Sequence, residues 1–116
     1  MIPTTRSLRV SEQIKHILAE MLNREIRDEH LKLVNITAVK VAPSLQTAKI
    51  FVTSLQQPLN QKQIINSLNH AEGFFKNRLS KQLNLHRTPK LFFVYDETLE
   101  YASNLEKLID SVVDNK

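Results

Sequence analysis

The chain has 116 residues, 41% apolar and 24% charged, with 16 Lys/Arg against 12 Asp/Glu and a formal net charge of +4. That length suits one domain with a real core, and that composition excludes wholesale disorder. Cysteine is absent, which excludes disulfides and thiolate metal ligation, and no apolar run approaches the length of a bilayer-spanning helix.

Met1-Ile2-Pro3 is followed by polar residues and lacks the apolar stretch of a signal peptide, so the cytoplasm is the expected compartment. Val10, Ile14, Ile17, Leu18, Met21 and Leu22 follow helical spacing and predict an amphipathic helix over 7–28. Glu20, Arg24 and Asp28 recur every four residues on its outer face, as ordinary helix ion pairs do. Two β-rich runs follow, 34–42 and 46–54, close enough across Pro43-Ser44-Leu45 to form a hairpin. In the second run Ala48, Ile50 and Val52 alternate with Lys49, Phe51 and Thr53, which predicts one aliphatic and one mixed face. Pro58 and Asn60 announce a helix. Its apolar stripe is Ile64, Ile65, Leu68 and Ala71, and a second stripe follows at Phe75, Leu79 and Leu83.

Gly73, the only glycine, falls between the stripes. A glycine within a helical pattern costs about 1 kcal/mol relative to alanine, so it predicts a break between two helices. After Pro89, Leu91-Phe92-Phe93-Val94-Tyr95 reads as a short apolar strand. Its rings, with Phe51, Phe74 and Phe75, are expected mainly in the core, although exposed aromatics of this kind stack on bases. Asp96 and Glu97 open a last amphipathic helix carried by Leu99, Leu105, Leu108, Ile109 and Val112, where they cap it and offset its dipole.

The charge is unevenly spread. Residues 30–95 carry nine Lys/Arg and one carboxylate, Glu72, whereas residues 1–29 hold five of each sign and residues 96–116 hold six acids against two lysines. A field concentrated in one part of a small domain is the electrostatic footprint of a nucleic-acid binder. Lys76, Arg78, Lys81, Arg87 and Lys90 lie in a stretch without an acid after Glu72, where they bear on phosphates, and Asn77 and Asn84 add hydrogen-bonding capacity. Arg6, Arg9 and Lys15 on the first helix are the alternative basic site. The kink at Ala71-Glu72-Gly73 has two readings: a surface where bare backbone meets RNA, and a joint that only sets the angle between two helices.

The order α-β-β-α-α-β, with a three-stranded sheet, a helix pair before the third strand and an extra C-terminal helix, is similar to an α+β K-homology-like domain of type II. The residues narrow the likeness. Arg9-Val10, Arg24-Glu25-Ile26-Arg27-Asp28, Ala48-Lys49-Ile50-Phe51-Val52 and Pro89-Lys90-Leu91-Phe92-Phe93-Val94-Tyr95-Asp96 resemble the ribosome-binding factor A family, as does Ala71-Glu72-Gly73, which fits that family's Ala-x-Gly interhelical kink. The resemblance implies a K-homology-like RNA-binding domain over 1–97 and a helical extension over 98–116. It implies a non-enzymatic assembly factor, a monomer, that binds the immature small ribosomal subunit and its ribosomal RNA, supports late maturation and processing of that RNA, and contributes to growth in the cold. The residues expected to bind RNA, from the charge distribution and the kink, are Arg6, Arg9, Ala71, Gly73, Lys76, Asn77, Arg78, Lys81, Arg87 and Lys90. The chain departs from the pattern at Ala42-Pro43-Ser44-Leu45, where the family often has Ser-Pro-Asp-Leu, at Lys90, where an acid is common, and at Ala102 and Asn104, where glycine and arginine are frequent.

Other classes carry less. His16, His30, His70 and His86 include no pair at a metal-binding spacing, and no nucleophile elbow, phosphate-cradling glycine loop or dinucleotide fingerprint is present. No metal, cofactor or small-molecule substrate is expected, and no membrane. The alternative is a K-homology-like adaptor whose basic surface meets an acidic protein partner, with a nuclease-like enzyme a distant third.

Overall fold

A computed structural model describes residues 4–28, 31, 32, 34–54 and 61–97. The element order is α1 (Thr5–Arg24), β1 (Val34–Val41), β2 (Thr47–Ser54), α2 (Gln61–His70), α3 (Glu72–Gln82) and β3 (Lys90–Tyr95). The α-β-β-α-α-β order read from the pattern is therefore the fold. The expected last helix, and the extension over 98–116 that it would form, lie outside the described residues.

Helix α1 starts on a capping box. The Ser7 amide donates to Thr4 Oγ1 at 3.0 Å, and the Thr4 amide donates to Ser7 Oγ at 2.9 Å, so two amides at the helix start are satisfied reciprocally. Val10, Ile14, Leu18, Met21 and Leu22 form its buried stripe. The helix ends at Arg24, earlier than the charge spacing through Asp28 predicts. Glu25 and Ile26 both donate their amides to Met21 O, at 2.9 and 3.2 Å, and Ile26 then packs against the core. An apolar side chain that reaches the core by leaving the helix overrides weak surface ion pairs.

The sheet order is β1-β2-β3, with β1 and β2 antiparallel and β2 and β3 parallel. A parallel pair needs a crossover connection, and α2 with α3 supplies it. Val41, Ala48 and Leu91 stand in one register row, and Val39, Ile50 and Phe93 in the next. These positions merge with the buried residues of all three helices into one core cluster. Among the described residues the helices thus cover one sheet face and leave the other open.

The apolar alternation of β1 shifts phase, from Val34 and Ile36 to Val39 and Val41. The cause is a bulge: Ile36 pairs with Val52 and Ala38 with Phe51, leaving Thr37 as the extra residue. Thr37 Oγ1 donates to Asp96 Oδ2 at 2.6 Å and lies 3.3 Å from Phe51 O, tying the bulge to the end of β3. The Asp96 carboxylate therefore closes the sheet end; the helix that it was expected to cap falls outside the described residues. On the core side Phe75 and Phe93 meet with ring centroids 5.8 Å apart, which fixes α3 on β3.

Three aromatic expectations are corrected. Phe51 is half-buried on the face opposite Ala48, Ile50 and Val52, outside the core cluster, with the Lys40 and Lys49 ammonium groups over its ring. Phe74 and Phe92 are not core: they are 47% and 44% exposed. Phe92 lies between Leu91 and Phe93, so strand alternation turns it to the open face. Phe74 precedes buried Phe75 on α3, about 100° around the helix.

Candidate nucleic-acid interface

The sequence-identified residues fall in three places. The first is the start of α3. Helix α2 closes at Ala71, whose amide is shared between Ser67 O at 3.2 Å and Leu68 O at 3.1 Å, and α3 opens with Phe75 N–H on Ala71 O at 3.0 Å. The break is at Ala71, with φ −89° and ψ 2°, and not at Gly73. Gly73 lies in the first turn of α3, exposed, without a positive φ, and an added Cβ would meet nothing within 4 Å. Glycine is therefore not required there by the protein's own packing. Glu72, half-buried, sits where its charge favours the helix dipole.

Gly73, Asn77 and Lys81 follow at intervals of four, which sets them on one exposed face of α3. Lys76 is half-buried on another flank. Arg78 differs from its neighbours: its Nη2 donates to Glu25 Oε2 at 2.7 Å, each side chain about one-third exposed, so it links α3 to the end of α1. Its charge is already paired, and a phosphate at this point would compete with Glu25.

A second place lies at one end of the fold, where a cleft of about 620 Å³ opens between the start of α1, the β1–β2 turn and the approach to β3. Arg6 and Arg87, far apart in sequence, line it together with His86. Leu45 in the same wall has φ 63°, a left-handed backbone that is uncommon for a leucine. Its amide donates to Ala42 O at 2.8 Å, and its side chain packs against the core, which holds the turn in this shape. Arg9 is exposed on α1, one turn on from Arg6.

The third place is the open sheet face. Lys90 Nζ lies 5.3 Å from the Phe92 ring centroid; Lys40 Nζ and Lys49 Nζ lie 5.5 and 6.0 Å from that of Phe51. Of these residues only Lys90 stood out in the sequence as a binding residue. The signal for the others was the alternation in β2 and β3, which puts Lys49 and Phe51 opposite the aliphatic face. Among the described residues no group of three or more His, Asp or Glu is placed to hold a metal ion, and no helix is long and apolar enough to cross a membrane.

The family model described as ribosome-binding factor A matches residues 6–109. A relative of that name from Aromatoleum aromaticum is 36% identical over 109 residues, 94% of this chain and 86% of its own. Another from Coxiella burnetii is 39% identical over 105 residues, 90% and 87% of the two chains. A solution structure of a putative ribosome binding factor A from Thermotoga maritima aligns with a TM-score of 0.69 at 28% identity, over 84% of this chain and 93% of that one. A Thermus thermophilus ribosome binding factor A, placed as a homology model in the cryo-EM map of a 30S complex, aligns with a TM-score of 0.62 at 22% identity, over 74% and 90% of the two chains, a likeness of fold. With the helix pair broken at Ala71, the mixed sheet and these matches over nearly its whole length, the chain belongs to the ribosome-binding factor A family.

Proposed function

We propose that this protein binds the small ribosomal subunit by seating its basic surface on ribosomal RNA, and that binding of the immature subunit supports late maturation and processing of that RNA. It acts by binding, as a cytoplasmic monomer without a cofactor or small-molecule substrate, and its loss impairs growth in the cold. The observation that carries the reading is the run from Gly73 to Tyr95, which contains no carboxylate and supplies the outer face of α3, one wall of the terminal cleft and the open face of β3. Family membership supports it, and so does the 30S complex described for the Thermus protein. Positive charge on several elements of one small domain suits a folded RNA, where phosphate contacts fix position and shape supplies selectivity.

Co-sedimentation with purified small subunits, immature and mature, tests this. The protein should pellet with small subunits, more with the immature form, and added small-subunit RNA should release it. Failure to pellet, or release by an acidic protein but not by RNA, would overturn the reading in favour of a protein adaptor.

A further inference from the structure

The open sheet face has its own chemistry. None of the three strands contains a carboxylate, while the face carries Lys40 from β1, Lys49 and Phe51 from β2, and Lys90 and Phe92 from β3. Lys40, Lys49 and Phe92 stand in one register row, and Phe51 is two residues along β2 from Lys49. A strand spacing of about 4.8 Å and a rise of about 3.3 Å per residue place Phe51 and Phe92 roughly 8 Å apart on the diagonal. A groove of about 560 Å³ runs over them, bounded by Leu8, itself 54% exposed, and Pro43.

We propose that this face is a separate binding site for single-stranded RNA, in which bases stack on Phe51 and Phe92 while Lys40, Lys49 and Lys90 hold the adjoining phosphates. The inference rests on the reading above that the protein binds ribosomal RNA, and adds that an unpaired segment of RNA is gripped by the sheet as well as phosphates by α3. Aromatic rings on an open sheet face, Phe92 exposed and Phe51 half-buried, flanked by lysines and with the nearest acid, Asp96, held by Thr37 at the sheet end, match the two requirements of single-strand binding, a π-surface and a positive track. The lysines now sit over the rings, but that arrangement gives way. A cation–π interaction at an exposed site is worth about two- to five-fold in an equilibrium, whereas base stacking on an aromatic is worth about five- to hundred-fold. A phosphate draws the ammonium aside and frees the ring for a base.

The test uses the full chain, a fluorescein-labelled oligouridine decamer, and an abasic decamer with the same number of phosphates. Anisotropy should show the wild type binding the uridine decamer more tightly than the abasic one. Phe92→Leu and Phe51→Leu should each weaken the uridine complex about five-fold or more and leave the abasic complex unchanged. Phe92 is exposed, so its replacement leaves folding intact, which circular dichroism verifies. As a second readout, a decamer with 5-iodouridine should crosslink under ultraviolet light to the peptides holding Phe51 or Phe92. Equal wild-type affinity for both decamers, unchanged affinity in the ring variants, or crosslinks confined to α3 would each overturn the inference. Ring variants that lose small-subunit binding while keeping decamer affinity would also overturn it, by assigning the groove to a protein. Small-subunit co-sedimentation of the wild type, run in parallel, tells failure of this inference from failure of the broader reading.

Discussion

At the scale of single residues, Gly73 and Arg78 are where the proposed RNA contacts can be told from scaffold. An added methyl at Gly73 enters open space on an α-helical backbone, so Gly73→Ala should raise stability by about 0.5–1 kcal/mol. Thermal melting should move up by several degrees. Affinity for small subunits should nevertheless fall if, as proposed, RNA closes on this backbone and leaves no room for the methyl. A variant both more stable and fully competent would make Gly73 a bystander. The basic side chains of α3 divide in a similar way. Glutamine at Lys76 or Lys81 should leave the melting temperature unchanged, while Arg78→Gln should lower it slightly, since it strips Glu25 of its partner. The pair is about one-third exposed, so water screens it and the loss should be about 0.5 kcal/mol. A double-mutant cycle between Glu25 and Arg78 measures that coupling, and a value of zero would return Arg78 to the set of free phosphate ligands.

Elements are joined by a few buried polar atoms, of which Ser11 is the clearest. Its Oγ donates to Ser7 O at 2.8 Å and accepts the Val41 amide at 3.1 Å, so one hydroxyl ties α1 to β1 inside the core. Ser11→Ala leaves the Val41 amide unpaired and should cost about 1–3 kcal/mol. Urea titration should show a lower midpoint with an unchanged slope; an unchanged midpoint would mean that water replaces the hydroxyl. No spacing in the sequence marks Ser11, because the bond joins residues thirty apart. The break between α2 and α3 was half legible for a related reason. Ile64, Leu68, Ala71, Phe75 and Leu79 keep helical spacing straight through it, so only the glycine announced a joint. The joint fell on Ala71, which reaches φ −89° and ψ 2° without needing glycine's freedom. Strand alternation was more informative: it sorted Ala48, Ile50 and Val52 inward and, applied to β3, would have sorted Phe92 outward. The shift from Ile36 to Val39 was visible as a change of phase, but the bulge that causes it needed the register.

For the whole molecule, the charge count along the chain foretold a basic module, and the fold distributes that module over α3, the cleft between Arg6 and Arg87, and the open sheet. The Arg78 charge in it is neutralised at home by Glu25, a pairing across 53 positions that no local pattern reveals. The remaining cations of the acid-free run are Lys76, Lys81, Arg87 and Lys90. The most direct test of the account is the salt dependence of small-subunit binding, compared between the wild type and a variant with glutamine at those four positions. Every phosphate that the variant no longer neutralises should flatten the log–log slope by about 0.7–0.9, so the slope should fall by roughly three units if all four cations meet RNA. A folded variant with the wild-type slope would contradict the account.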